Sequence, residues 1–158
     1  MLRHLSLVLV LVLSALALGT TADPAHATRG HARHTSPRAA RAKVVRYARR
    51  FVGVPYRYGG SSPRTGFDCS GFVAYVYRHF GVSLPHYSVA QFALGRRVSR
   101  SRLRAGDVLF FNGLGHVGIY VGKGLFIHAP HTGTRVSVAS LAGWYSAEYA
   151  GARRFRVS

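Results

Sequence analysis

The hydrophobic pattern of this chain changes period once, at Arg104-Ala105-Gly106, and that change limits the fold more than any other feature. Before it, apolar residues recur at helical spacing. Val44, Val45, Ala48, Phe51 and Val52 form one stripe, stopped by Gly53 and Pro55, and residues 53–66 read as a loop. Phe72, Val73, Val76 and Phe80 form a second stripe over 69–80, closed by Gly81, and a shorter helix is expected over 88–94. After it, β-branched and alternating runs predict strands over 107–111, 116–121, 125–128, 135–138 and 152–157. Helices first and strands afterwards imply an α+β fold, N-terminal helices packed on an antiparallel β-sheet.

The N-terminal residues read differently. Arg3 and His4 precede an apolar run over 5–18, and Ala25-His26-Ala27 has the small-x-small pattern of a cleavage site, so 1–27 is expected to be a signal peptide. At fourteen residues this run falls short of the roughly 20 that span a bilayer, and no stable membrane insertion is expected. Residues 28–41 are basic, small and polar and are read as a flexible arm. One domain then covers 42–158.

With 22 Lys+Arg against 4 Asp+Glu, the net charge is +18. Such a charge draws a protein to polyanions, and export argues against a specific nucleic-acid partner. The shortage of acids excludes more than the excess of bases implies. Beyond the leader only Asp68, Asp107 and Glu148 remain, too few for a readable pair of glycosidase carboxylates. No His-Glu-x-x-His or Cys-x-x-Cys occurs, so neither a metal nor any other cofactor is expected.

Cys69 is the only cysteine, so it has no internal disulfide partner. It opens the second helix in Phe67-Asp68-Cys69-Ser70-Gly71-Phe72, where free N–H groups and the helix dipole are expected to favour the thiolate. Two histidines lie on the strands. In His116-Val117-Gly118-Ile119-Tyr120-Val121 the β-branched residues share one face, read as the core face, and His116, Gly118 and Tyr120 share the other. A turn centred on Lys123 would set Gly118 opposite His128, making His116 and His128 diagonal neighbours on one face. A thiol at a helix N-terminus, a histidine and a second polar residue are the parts of a Cys-His nucleophilic site. In it Cys69 attacks, His116 serves as base and then acid, and His128 orients His116. His131 competes for the orienting part.

Five segments taken in order resemble the NlpC/P60 family. They are Gly53-Val54-Pro55-Tyr56-Arg57-Tyr58-Gly59-Gly60, the Cys69 segment, Gly106-Asp107-Val108-Leu109-Phe110-Phe111, Gly115-His116-Val117-Gly118-Ile119-Tyr120 and Phe126-Ile127-His128-Ala129. The resemblance implies a secreted bacterial cysteine peptidase with a papain-like core. Its catalytic cysteine, histidine and third polar residue match Cys69, His116 and His128. Tyr56 matches a cleft tyrosine beside the nucleophile, and Asp68 and Ser70 match positions used in part to hold substrate. The implied substrate is the stem peptide of peptidoglycan, cut between γ-linked D-glutamate and the diamino acid that follows. A monomer associated with the cell wall, extracellular or periplasmic, is expected. The alternatives are a sugar-peptide amidase, that is an N-acetylmuramoyl-L-alanine amidase, or an acyltransferase on the same fold. A further alternative is a cationic wall-binding protein with an inert Cys69.

Overall fold

The structure, a computed structural model, describes residues 36–157. The leader 1–27 and residues 28–35 of the expected arm lie outside the described residues. The rest of that arm is not a flexible tail: helix α1 spans Pro37–Arg49, so residues 37–41 are helical. The Ser36 side chain accepts from the Ala39 N–H at 3.2 Å, and Pro37 occupies the first turn, where its missing N–H costs nothing. Ala40 is fully buried. Basic composition masked an ordinary helix start.

After α1 the chain forms a small hairpin, β1 (Ser61–Ser62) and β2 (Gly66–Phe67), then α2 (Cys69–Arg78) and α3 (Ser88–Ala93). Six strands and one more helical turn follow: β3 (Arg96–Val98), β4 (Val108–Phe111), β5 (His116–Gly122), β6 (Leu125–His128), β7 (Ser137–Ser140), α4 (Trp144–Ala147) and β8 (Tyr149–Arg154). The sheet order is β3-β8-β4-β5-β6-β7, with every neighbouring pair antiparallel. This is the expected α+β architecture.

Two expected strands moved. Residues 135–138 were read as one strand, but Gly53 N–H bonds Val136 O, Val136 N–H bonds Val54 O, and Pro55 bridges Arg135, so β7 begins only at Ser137. The strand expected over 152–157 is β8 at Tyr149–Arg154, because Tyr149 pairs with Phe111 and Phe155 turns inward to meet Tyr77 edge-on at 5.2 Å. β1, β2 and β3 were not read at all. Strands of two or three residues leave no measurable alternation.

One face of the sheet receives α1 and α2. Val44 and Ala48 of α1 and Phe72, Val73 and Val76 of α2 pack with Val108, Phe110, Val117, Ile119 and Ile127, all fully buried. Each of the larger side chains contributes about 1.5–3 kcal/mol of transfer free energy. The opposite face is also apolar. Leu109, Phe111, Phe126 and Ala152 meet Tyr120, Tyr145 and Tyr149 there, which corrects the reading of a single core face on β5. Cover on both sides explains why all four residues of β4 are buried.

Candidate active site

The N-terminus of α2 is held in place by Asp68. Its Oδ1 accepts from Gly71 N–H at 2.7 Å and from the Ser70 hydroxyl at 3.2 Å, and its Oδ2 accepts from Gly59 N–H at 2.9 Å. His86 Nε2 lies 2.7 and 2.8 Å from the two oxygens. Four partners fill the acceptor capacity of a carboxylate. Asp68 is thus the helix cap and the junction of three segments, and Ser70 points into it. Gly71 cannot be another residue: an added Cβ would sit 2.1 Å from Gly60 O and 2.7 Å from His86 Nε2. Gln91, fully buried, ties α3 to this corner by donating to Ser70 O and Pro85 O.

Cys69, the first residue of α2, is half-buried. The backbone N–H groups of Val117, Ser70 and Cys69 itself lie toward its sulfur and favour the thiolate. Burial, joined by the negative charge of Asp68, works the other way and prevails, so the thiol titrates above its ordinary value of 9.0. The expectation of a helix-stabilised resting thiolate is therefore corrected. At neutral pH Cys69 is a thiol and needs a base.

The influence of the Val117 N–H on Cys69 brings the start of β5 to the sulfur, and there Val117 adjoins His116. The turn before it is strained: Asn112 and Leu114 both hold positive φ, 50° and 75°, and Ser88 Oγ clamps Leu114 O at 2.6 Å. His116 Nε2 lies 2.8 Å from His128 Nδ1, the rings nearly perpendicular at 77°. The β5–β6 register, Ile119 with Ile127 and Tyr120 with Phe126, brings Gly118 against His128 as the turn geometry predicted. A Cβ on Gly118 would meet Phe126 at 2.7 Å and His128 Cβ at 3.1 Å, so glycine is what lets the second histidine in. His131 is exposed, its Nδ1 bound to Thr132 O, and it makes no bond to His116.

Burial, the dominant cause in both, pushes His116 down to about 4 and His128 to about 3, so both are neutral at pH 7. In the neutral pair one nitrogen of the contact must donate and the other accept. With the proton on His116 Nε2, His116 Nδ1 is left as the acceptor for a thiol proton. Tyr145 of α4, which sequence reading missed, packs edge-on to His128 at 5.3 Å and against His116 at 6.2 Å, covering the pair. His86 was missed as well; nothing in its spacing marks it, because only folding brings it to Asp68. Tyr56 sits within electrostatic reach of Cys69 and Asp68, and its phenol is raised chiefly by burial. Its N–H bonds Thr134 O, and a parallel bridge ties it to Phe67, so the loop at 134 and β2 both set its position. Among the described residues no group of His, Cys, Asp and Glu is placed to hold a metal ion.

The histidine shifts predict a pH-dependent stability. An unfolded chain takes up these protons as pH falls through 6.5, and the folded one only near 4 and 3. The unfolded state binds more protons in that window, so stability falls as pH drops from 6.5 toward 4, on the order of 3 kcal/mol for one such group. Thermal melts between pH 7 and pH 4 should show the fall, and His128→Asn should shrink it. An equal fall in His128→Asn would mean that other groups carry it.

The sequence profile of the NlpC/P60 family matches residues 53–154. The chain is 44% identical over 112 residues to the murein DD-endopeptidase MepH of Escherichia coli, covering 65% of this chain and 41% of that one. It is 39% identical over 126 residues to the gamma-DL-glutamyl hydrolase of Bacillus subtilis, covering 75% of this chain and 30% of that one. The chain thus spans less than half the length of either relative. The crystal structure of the NlpC/p60 domain of peptidoglycan hydrolase SagA superposes with a TM-score of 0.65 at 38% identity, covering 73% of this chain and 98% of that one. With the matched region running from the loop before Tyr56 to the end of β8, this chain belongs to the NlpC/P60 family, a family of cysteine peptidases.

Proposed function

We propose that this protein is a secreted peptidoglycan endopeptidase that hydrolyses stem peptides, at the bond between γ-D-glutamate and the diamino acid, through Cys69, His116 and His128. The observation that carries this reading is the 2.8 Å contact between His116 Nε2 and His128 Nδ1, which, with the proton on Nε2, leaves Nδ1 of His116 free to act as a base. Two further supports are the names of the relatives, which include endopeptidase and γ-glutamyl hydrolase activities, and the charge of +18, which suits an anionic wall.

In this mechanism His116 Nδ1 takes the Cys69 proton as the sulfur attacks the γ-carbonyl carbon. The tetrahedral oxyanion is held by backbone N–H groups at the head of α2, that of Cys69 among them. The C–N bond breaks as His116 returns the proton to the leaving amine, and a thioester remains. Water then attacks, giving its proton to His116, and the sulfur departs to regain it. Tyr56 lines the cleft on the glutamyl side. Asp68 and Ser70 serve the substrate by keeping α2 and the Gly59–Gly60 loop in place. Residues 1–27 direct export, the protein acts as a monomer at the wall, and no cofactor takes part.

Mass spectrometry of purified stem peptides and crosslinked dimers after incubation tests the bond. The expected products are L-alanyl-D-glutamate and a fragment beginning with the diamino acid. Two monomers from a dimer would instead indicate a DD-endopeptidase, the activity named for MepH. Free glycan with intact stems would indicate the sugar-peptide amidase, and a mass of amine addition the acyltransferase. No cleavage, with wall binding that survives thiol alkylation, would leave the cationic binding protein.

A further inference from the structure

The two buried carboxylates among the described residues are held in different ways. Asp107 is gripped by the guanidinium of Arg154 at 2.6 Å, whereas Asp68, next to the thiol, meets the imidazole of His86 at 2.7 Å. His86 belongs to a short segment that joins the two halves of the site. Gln91 of α3 donates to Pro85 O at 2.7 Å and to Ser70 O at 2.9 Å, which fastens the segment to α2 just before His86. Just after it, Ser88 Oγ donates to Leu114 O at 2.6 Å, on the turn that leads to His116.

The imidazole is closely fitted there. Its Nε2 occupies the space over Gly71, where a Cβ would meet it at 2.7 Å. Gly71 and Gly59 N–H each donate to one Asp68 oxygen, at 2.7 and 2.9 Å, and a carboxylate oxygen only accepts. His86 Nε2 therefore carries the proton that it shares between both oxygens, at 2.7 and 2.8 Å, and its tautomer is fixed.

We propose that His86 is a positioning residue for Cys69: by donating to both oxygens of Asp68 it fixes the head of α2 and screens the sulfur from the carboxylate's charge. The inference rests on the reading of Cys69 as the nucleophile. A donor shared with a carboxylate draws its charge away from other neighbours. That matters here, because after burial the charge of Asp68 is what holds the thiol above its ordinary value. The His86 side chain is 35% exposed against 13% for Asp68, so water reaches the imidazole more readily than the carboxylate. A proton taken up at Nδ1 turns screening into neutralisation. Tyr56 and Tyr58 of the loop before β1 and His116 of β5 also surround the thiol and its carboxylate. Burial raises Tyr56 above 10.0 and lowers His116 to about 4, so neither carries charge in the range between.

Alkylation of the folded full chain by iodoacetamide across a pH series, followed by mass spectrometry, reads the thiol directly, since Cys69 is the only cysteine. No peptide is cleaved in this measurement, so its outcome is separate from that of the proposed hydrolysis. His86→Leu is expected to raise the midpoint of alkylation by about half a pH unit or more, and His86→Arg, a fixed cation, to lower it by as much. His86→Gln keeps an N–H near the place of Nε2 and should stay close to the parent. Asp68→Asn keeps a capping oxygen without the charge. In that background His, Gln and Leu at 86 should share one midpoint, lower than the parent's. A His86 that only braced the fold would change the melting temperature and leave the midpoints of Leu, Gln and parent equal, which would overturn the proposal. A difference between His and Leu that persists in Asp68→Asn would overturn it too, because His86 would then act on the sulfur without Asp68. Should His86→Leu unfold, the expectation passes to Arg against Gln, with the lower midpoint for Arg.

Discussion

Cys69→Ser is expected to fold as the parent does and to lose about four orders of magnitude in turnover of a stem peptide, the loss typical of disabling a nucleophilic site. Serine fits the same half-buried position at the head of α2, and neither the Asp68 cap nor the Gly71 contact uses the sulfur. Chemistry, not packing, is what changes. The thiol already titrates above 9.0, because burial and Asp68 outweigh three backbone N–H groups. A hydroxyl starts far higher still, and neutral His116 is too weak a base to activate it. Melting temperature and turnover measured on one preparation separate the two effects. Wild-type turnover in Cys69→Ser would sink the thiol mechanism.

His116→Ala should cost about 10³-fold or more in kcat, while His128→Asn should cost far less, on the order of tenfold. The difference follows from which atoms meet. In the proposed mechanism His116 exchanges a proton with sulfur and with the leaving amine, and nothing else within the described site is placed to do so. With the proton on His116 Nε2, His128 only accepts a hydrogen bond, through Nδ1 at 2.8 Å. Asparagine carries its Oδ1 at nearly the same distance from the backbone as Nδ1, so His128→Asn keeps the acceptor where His128→Leu removes it. The expected order of kcat is wild type, His128→Asn, His128→Leu, His116→Ala. Equal damage from Asn and Leu at 128 would mean that the ring itself, packed between Phe126 and Tyr145, matters more than its hydrogen bond.

Most features that depend on near neighbours in the chain were legible in advance. The stripe on α2, the glycines around it and the turn at Lys123 are short-range patterns, and from them came the antiparallel fold, the place of Cys69 and the approach of His116 to His128. The positive φ of Lys123, 53°, and of Gly122 and Gly124 shows how tightly that turn is set. One local signal was overlooked: Ser36-Pro37 is a helix start, and the basic residues after it were read as tail.

What the fold alone decided has long sequence separation in common. His86 reaches Asp68 across 18 residues, and Arg154 reaches Asp107 across 47. Tyr145 closes over the histidines only because β7 carries the chain back across the sheet. The protonation of the site belongs to this class as well. A helix N-terminus favours a thiolate, and that much is local. The burial that outweighs it comes from the whole domain, because desolvation sums over every element packed around the sulfur and the two rings. The sequence by itself therefore singled out the candidate reacting groups. The tertiary structure decided the charge state in which they wait and which neighbours hold them there.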